Sequence, residues 1–213
     1  MEILMLILGF CLAYLLGSFS SSVWIGRWFY KTDVRTQGSK NAGATNTIRV
    51  LGLKAGTVVL LLDVVKGFLA VFLGSLLFNS DNPEWEIAYE LVLGVFAVIG
   101  HIFPLYTGFK GGKGVATIVG VLIALYWFIF PFILGLFVVI FLIWRYISLS
   151  SIVSAISFPF VYLLFCWIDK EPVAISLFLF SILVAVFIPI THKKNIRRLI
   201  KGEEPKFYFK KTV

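Results

Sequence analysis

The sequence predicts an all-α integral membrane protein with about seven transmembrane helices. Three observations lead there: 60% of its 213 residues are hydrophobic, only 14% are charged, and the mean hydropathy is +0.97. A soluble domain of this length cannot hide so much apolar surface in one core, so lipid must be the solvent for most of it. The net charge of +8 would suit nucleic acid on a soluble basic face. Here, however, the lysines and arginines stand in short segments between apolar runs, so no nucleic-acid partner is expected. Cys11 and Cys166 lie inside apolar runs with neither CxxC nor metal-ligand spacing around them. No metal and no cofactor are expected.

A crossing needs about 20 mostly apolar residues. Such runs occur at 3–26, 53–78, 87–105, 149–168 and 173–191. The first is preceded by the acidic Glu2 rather than by basic residues and runs too long for a cleavable leader, so it reads as a retained membrane helix. The stretch 115–144 would be about 45 Å as one helix, too long for one span and short for two. Pro131 stands near its middle, and proline starts helices but breaks their interiors. That divides the stretch into two short helices, at about 115–129 and 131–144.

Charge placement supports the division independently. The segments 27–54, 106–114, residue 145 and 192–213 hold 17 of the 19 basic residues, Lys210 and Lys211 among them. The other ends carry Glu2, Asp81, Glu84, Glu86, Glu90, Asp169 and Glu171 with Lys170 as their one cation. Under the positive-inside rule, this asymmetry places the N-terminus outside and the C-terminus in the cytoplasm. It also requires an even number of crossings between Lys113 and Arg145. With no internal repeat visible, residues 1–213 read as a single polytopic membrane domain.

Three basic elements could carry chemistry. The first, RTQGSKNAGATNTIR from Arg35 to Arg49, alternates small residues with hydroxyl and amide side chains, which suits close approach of a polar ligand. A flexible loop touching anionic headgroups is the plainer reading. The second, YTGFKGGKGVAT, sets Lys110 and Lys113 among Gly108, Gly111, Gly112 and Gly114 just before a helix start. Consecutive glycine amides, a helix N-terminus and two lysines would suit phosphate, although a Gly/Lys turn needs no ligand. The string does not match a P-loop. In the third, THKKNIRRLIKGEE, His192, Asn195 and Arg198 would share a face if the helix continues.

Asp63 and Lys66 lie inside the second apolar run, where their i, i+3 spacing lets them pair beneath the site. His101 in GHIFP is equally a candidate for structural support. Arg145, Ser148, Ser150 and Ser151 form a smaller polar patch.

Taken together, GSFSSS, RTQGSKNAGATNTIR, DVVKG, GHIFP, FKGGKGVAT and HKKNIRRLIKGEE resemble, in order across residues 17–204, the bacterial PlsY family of acyl-phosphate:glycerol-3-phosphate acyltransferases. The resemblance implies a seven-helix enzyme of the bacterial inner membrane with a cytoplasmic active site. It would move a fatty acyl group from acyl phosphate to the 1-hydroxyl of glycerol 3-phosphate, giving lysophosphatidic acid and phosphate in the first step of phospholipid synthesis. By resemblance, Ser39 and Arg49 match the important serine and arginine of the first motif, with Asn41, Thr45 and Asn46 beside them. Lys110, Gly111, Gly112, Lys113 and Gly114 match the glycerol 3-phosphate motif. His192, Asn195 and one of Glu203 or Glu204 match the third, with Arg198 assigned to substrate binding. Lys40 departs from the pattern, standing where the family's glycine is expected.

The expected partners are the two substrates and membrane lipid, with the chain acting as a monomer. An acyl phosphate is a mixed anhydride whose phosphate leaves readily, so the enzyme's larger task is to place a hydroxyl against the carbonyl while neutralising two phosphates. Arg49, Lys110, Lys113 and the glycine amides are expected to do so. His192 or an oxygen of the donor phosphate takes the proton, and Ser39 positions substrate. An acyl-Ser39 intermediate is the covalent rival; an acyl-cysteine is not expected, because both cysteines stand far from the inner loops. From another class, the rival is a transporter of a small organic phosphate or other anion, which would want a polar path at the midplane.

Overall fold

The structure is a computed structural model that describes residues 2–78 and 80–208; Lys210 and Lys211 lie outside the described residues. The described residues form helices and no strand. In chain order these are α1 (Glu2–Gly17), α2 (Ser21–Tyr30), α3 (Ala44–Leu51), α4 (Leu53–Ser75), α5 (Pro83–Ile102), α6 (Val115–Leu125), α7 (Phe130–Trp144), α8 (Ile147–Asp169), α9 (Ile175–Thr191) and α10 (Lys193–Ile200). Single 3-10 turns occur at Val34–Thr36 and Leu105–Thr107. Packing groups them into two compact units, Met1–Tyr126 and Trp127–Val213.

In the first unit α4 packs against α1, α5 and α6, and α1 packs along α5. α4 and α6 approach closely at Gly67 and Gly120, where an added Cβ would strike the backbone of Thr117 and Val64. Asn82 caps α5 by accepting from the Glu84 amide at 2.9 Å, and Pro83 supplies a first-turn residue that needs no donor. In the second unit α8 packs on α7 and α9. Among the 15 residues of α7 only Ile133 is buried. A helix this apolar, with most of its residues exposed, requires lipid around it.

Two expectations change. The run 3–26 is not one helix: it breaks at Ser18–Ser20 and turns by 41° into α2, which continues to Tyr30. The Ser18 hydroxyl donates to the Tyr14 carbonyl at 2.8 Å, a local bond that competes with helix continuation. Residues 27–54 are not simply a loop either, since α3 lies within them. Ala44 and Leu51 of α3 pack on Ile25, Ala55 and Val59. The division of 115–144 is observed, α6 ending at Leu125 and α7 starting one residue before Pro131. Among the described residues three helices are long and apolar enough to cross a membrane, and two bent pairs pass the same test as broken spans. α6 and α7 are apolar but shorter, at 11 and 15 residues.

A helix broken in apolar surroundings leaves backbone groups that must find partners. The Asp63–Lys66 pair supplies one of them. Lys66 Nζ donates to the Phe19 carbonyl at 2.8 Å and to Asp63 Oδ1 at 2.8 Å. Asp63 Oδ1 also accepts from Ser21 Oγ, in the first turn of α2, at 2.9 Å. A carboxylate there suits the positive end of the helix. Asp63 is 2% and Lys66 6% exposed, so neither has water as an alternative partner. Lys66→Met takes the cation from a buried carboxylate and a donor from the Phe19 carbonyl, and is expected to cost about 3–5 kcal/mol, read as a lower unfolding midpoint in detergent.

Candidate active site

The first two basic elements meet in the first unit. Asp33 opens the 3-10 turn by accepting from the Arg35 amide at 3.0 Å. Its carboxylate also takes Arg35 Nε at 3.0 Å, Arg35 Nη2 at 2.8 Å and Arg27 Nη2 at 3.0 Å. The guanidinium of Arg35 holds Asp33 well below the usual carboxylate range, against the opposing effect of burial, and Asp33 in turn raises Arg35. Arg35 Nη1 then reaches the other element, donating to the carbonyls of Thr107 at 2.7 Å and Lys110 at 3.2 Å.

Asn46, expected at substrate, clamps the loop. It is 1% exposed, its Oδ1 accepts from the Ser39 amide at 2.8 Å, and its Nδ2 donates to the carbonyls of Val34 at 2.7 Å and Gln37 at 3.2 Å. A buried amide so committed has little left for a ligand. Ser39 and Arg49 are exposed, and Asn41 and Thr45 are half-buried. Arg49 occupies the last turn of α3, where its charge suits the helix end. Lys40 has φ +59°, a left-handed conformation that glycine adopts at no cost, which gives its departure from the family pattern a physical meaning.

The glycine turn also differs from expectation. The amides of Gly111 and Gly112 do not form an anion nest: they donate to the carbonyls of Ile102 at 3.0 Å and His101 at 3.1 Å, folding the chain back over the end of α5. Buried backbone donors must be paired, and these carbonyls lie at the helix end where no helical amide reaches them. Glycine is required because a Cβ at Gly112 would collide with the His101 ring and the Ala42 carbonyl, and one at Gly111 with the His101 carbonyl. Gly114, at φ +84°, starts α6. Lys110 is exposed and Lys113 half-buried. His101 is buried, with Nδ1 3.1 Å from Thr117 Oγ1 and 3.8 Å from Asp63 Oδ1, so the ion pair below the turn reaches it through one ring.

In the second unit the helix does not continue through the third element. It bends by 64° between α9 and α10, two residues after Pro189. His192 stands at the bend, buried, with Nδ1 2.8 Å from the Ile188 carbonyl. Asn195 and Arg198 turn to Glu204. The buried Glu204 carboxylate accepts from Ser148 Oγ at 2.7 Å, Asn195 Nδ2 at 2.6 Å and Arg198 Nε at 2.7 Å. Glu203 is exposed, so of the two glutamates left open by the sequence it is Glu204 that is built in. The next residues pass the polar patch, the Phe207 amide donating to the Arg145 carbonyl at 2.8 Å. Arg35, Asp33, Ser21 and Thr117 were not assigned roles from sequence. For Arg35, the arginine at the head of the first motif was the available signal.

A cavity of about 270 Å³ lies near the Asp169 end of α8, lined by Phe128, Tyr162, Cys166 and Glu171 among others. It holds none of the candidate residues, and its apolar and acidic walls are unsuited to phosphate.

The fold defines an integral membrane protein of apolar helices that carries its conspicuous cations on the turns between them. A family model described as glycerol-3-phosphate acyltransferase matches residues 7–202. Glycerol-3-phosphate acyltransferases of Listeria monocytogenes serovar 1/2a and Fusobacterium nucleatum are 43% and 40% identical, over 94% and 93% of this chain and 96% of each relative. The crystal structure of PlsY, an integral membrane glycerol 3-phosphate acyltransferase, in its glycerol 3-phosphate form is similar with a TM-score of 0.81 at 36% identity, covering 95% of this chain and 96% of that one. Its lysophosphatidic acid form gives 0.78 at 35% identity, over 96% of both chains. This chain belongs to the glycerol-3-phosphate acyltransferase family.

Two outcomes follow from the geometry. Lys40→Gly relieves a left-handed side-chain residue and is expected to raise stability by about 1 kcal/mol in a detergent unfolding assay. At Glu204 burial pushes the carboxyl up, and hydrogen bonds from Ser148, Asn195 and Arg198 outweigh it, leaving the group below its ordinary value. Its contribution is therefore complete above the unfolded value of about 4.3 and is lost as pH falls through the lower folded value. Thermal unfolding should find the parent more stable than Glu204→Gln at neutral pH, the gap narrowing below about pH 4.

Proposed function

We propose that this chain transfers a fatty acyl group from acyl phosphate to the 1-hydroxyl of sn-glycerol 3-phosphate, giving lysophosphatidic acid and phosphate, the first step of bacterial phospholipid synthesis. The observation that carries the reading is the Arg35 contact joining the Ser39 loop to the Lys110 turn, which gathers hydroxyl, amide and cationic groups on one side of the first unit. The relatives' activity toward glycerol 3-phosphate supplies the acceptor. They are acyltransferases, which leaves the transport reading without support.

The acceptor oxygen attacks the acyl carbonyl, the carbon–oxygen bond to phosphate breaks, and phosphate leaves with its electron pair. Arg49, Lys110, Lys113 and the N-terminus of α6 neutralise phosphate and the developing oxyanion. Ser39, its amide fixed by Asn46, orients substrate. His192 or an oxygen of the donor phosphate takes the hydroxyl proton. Asn195 and Arg198 act with Glu204 in shaping the third motif. The whole chain serves as one monomeric acyltransferase domain of the inner membrane, crossing seven times with the N-terminus outside and the site facing the cytoplasm. The distribution of its basic residues supports that orientation.

The test uses sealed membrane vesicles of each orientation, offered glycerol 3-phosphate with acyl phosphate, acyl-carrier-protein thioester or acyl-coenzyme A separately. Lysophosphatidic acid should form from acyl phosphate alone, and only when glycerol 3-phosphate is added to the cytoplasmic face. Product from a thioester but not from acyl phosphate would replace the donor.

A further inference from the structure

Arg35 has the chemistry of a phosphate ligand but not the availability. Its Nε and Nη2 are spent on Asp33 and its Nη1 on two main-chain carbonyls, and its side chain is 17% exposed. A guanidinium with all three nitrogens engaged inside the protein is a tie between the parts it touches. Those parts are the ones the reaction needs aligned. On one side, Val34, the residue before Arg35, accepts from Asn46, which holds the Ser39 amide. On the other, the carbonyl bonded by Nη1 belongs to Lys110 itself. Asp33 orients the guanidinium and anchors it to Arg27 of α2. Thr107, whose carbonyl is the second partner, is fixed in turn by its hydroxyl, 2.8 Å from Ser20 Oγ.

We infer that Arg35 is a positioning residue: oriented by Asp33, it sets the spacing between the Ser39 loop and the Lys110–Gly114 turn, and thereby the alignment of the acceptor hydroxyl with the acyl carbonyl. The catalytic half of this statement rests on the proposed function, and the spacing half stands without it. A tie of this kind governs how often bound substrates are productively aligned, so its loss lowers kcat and leaves both KM values nearly unchanged. A direct phosphate ligand would act on KM instead. Asp33→Asn separates the two further, since it loosens the guanidinium without removing its charge. As a tie, Arg35 then works less well and kcat falls; as a ligand it is released and KM for a phosphate substrate falls.

The experiment has two arms. Steady-state kinetics with acyl phosphate and glycerol 3-phosphate should show kcat lowered about 10–100-fold in Arg35→Gln and about tenfold in Asp33→Asn, each KM within about threefold of the parent. Arg35→Lys, which keeps the charge but not the planar fork, should recover little and serves if the glutamine variant folds poorly. In the second arm, spin labels on cysteines placed at the exposed positions Gln37 and Phe109, in a Cys11→Ser/Cys166→Ser background, report the spacing directly. The distance distribution should broaden in Arg35→Gln and Arg35→Lys. Unchanged kcat, a raised KM at constant kcat, or an unaltered distance distribution overturns the inference. A parent that makes no lysophosphatidic acid overturns the proposed function, and the label distances still decide whether Arg35 ties the loops.

Discussion

The buried Asp63–Lys66 pair is the interaction on which the first unit depends. A break between α1 and α2 leaves polar groups in apolar surroundings, and the pair answers both polarities, Lys66 donating to the Phe19 main-chain carbonyl and Asp63 accepting from the Ser21 hydroxyl. The same carboxylate stands 3.8 Å from the His101 ring. His101 supplies the carbonyl that receives the Gly112 amide, and its ring lies where a side chain at Gly112 would go. The cationic turn therefore takes its shape from a charge pair deeper in the helices.

From that turn the order passes outward to the first loop. Arg35 and Asn46 divide the work, one bonding main-chain carbonyls of the second element and the other folding the first element on itself. Neither needs to touch a substrate to matter. The second unit uses the same device, one buried carboxylate gathering Ser148, Asn195 and Arg198 around the segment after α10. In both units the polar residues of the motifs go largely into building the loops, and the exposed Ser39, Arg49 and Lys110 are what the building presents.

Much of this was legible beforehand. Apolar runs and Pro131 located the helices, because covering a bilayer demands length and proline demands a start. The i, i+3 spacing of Asp63 and Lys66 foretold their pairing. The serines of GSFSSS were the signal for the break at Ser18–Ser20, overridden by the apolarity around them. Helix α3 was hidden because its apolar residues Ala44, Ile48 and Leu51 are diluted by polar ones, although they fall at i, i+4 and i+7. The glycine amides were misjudged because composition reveals flexibility but not which acceptor a buried amide finds.

By itself the sequence determined that the chain lives in lipid, where its long apolar runs lie, which turns carry the cations and which family its motifs resemble. These follow from composition, spacing and order along the chain. Only the tertiary structure decided that Asn46 is a clamp, that Glu204 rather than Glu203 is buried, that Gly111 and Gly112 spend their amides on α5, and that Arg35 holds Lys110. Two of these choices depend on partners distant in the chain, 75 residues for Arg35 and Lys110 and 56 for Ser148 and Glu204, and the others on partners in neighbouring turns rather than in the next helical repeat. Local pattern cannot specify such pairings, since a donor's acceptor is chosen by what packing leaves within about 3 Å of it.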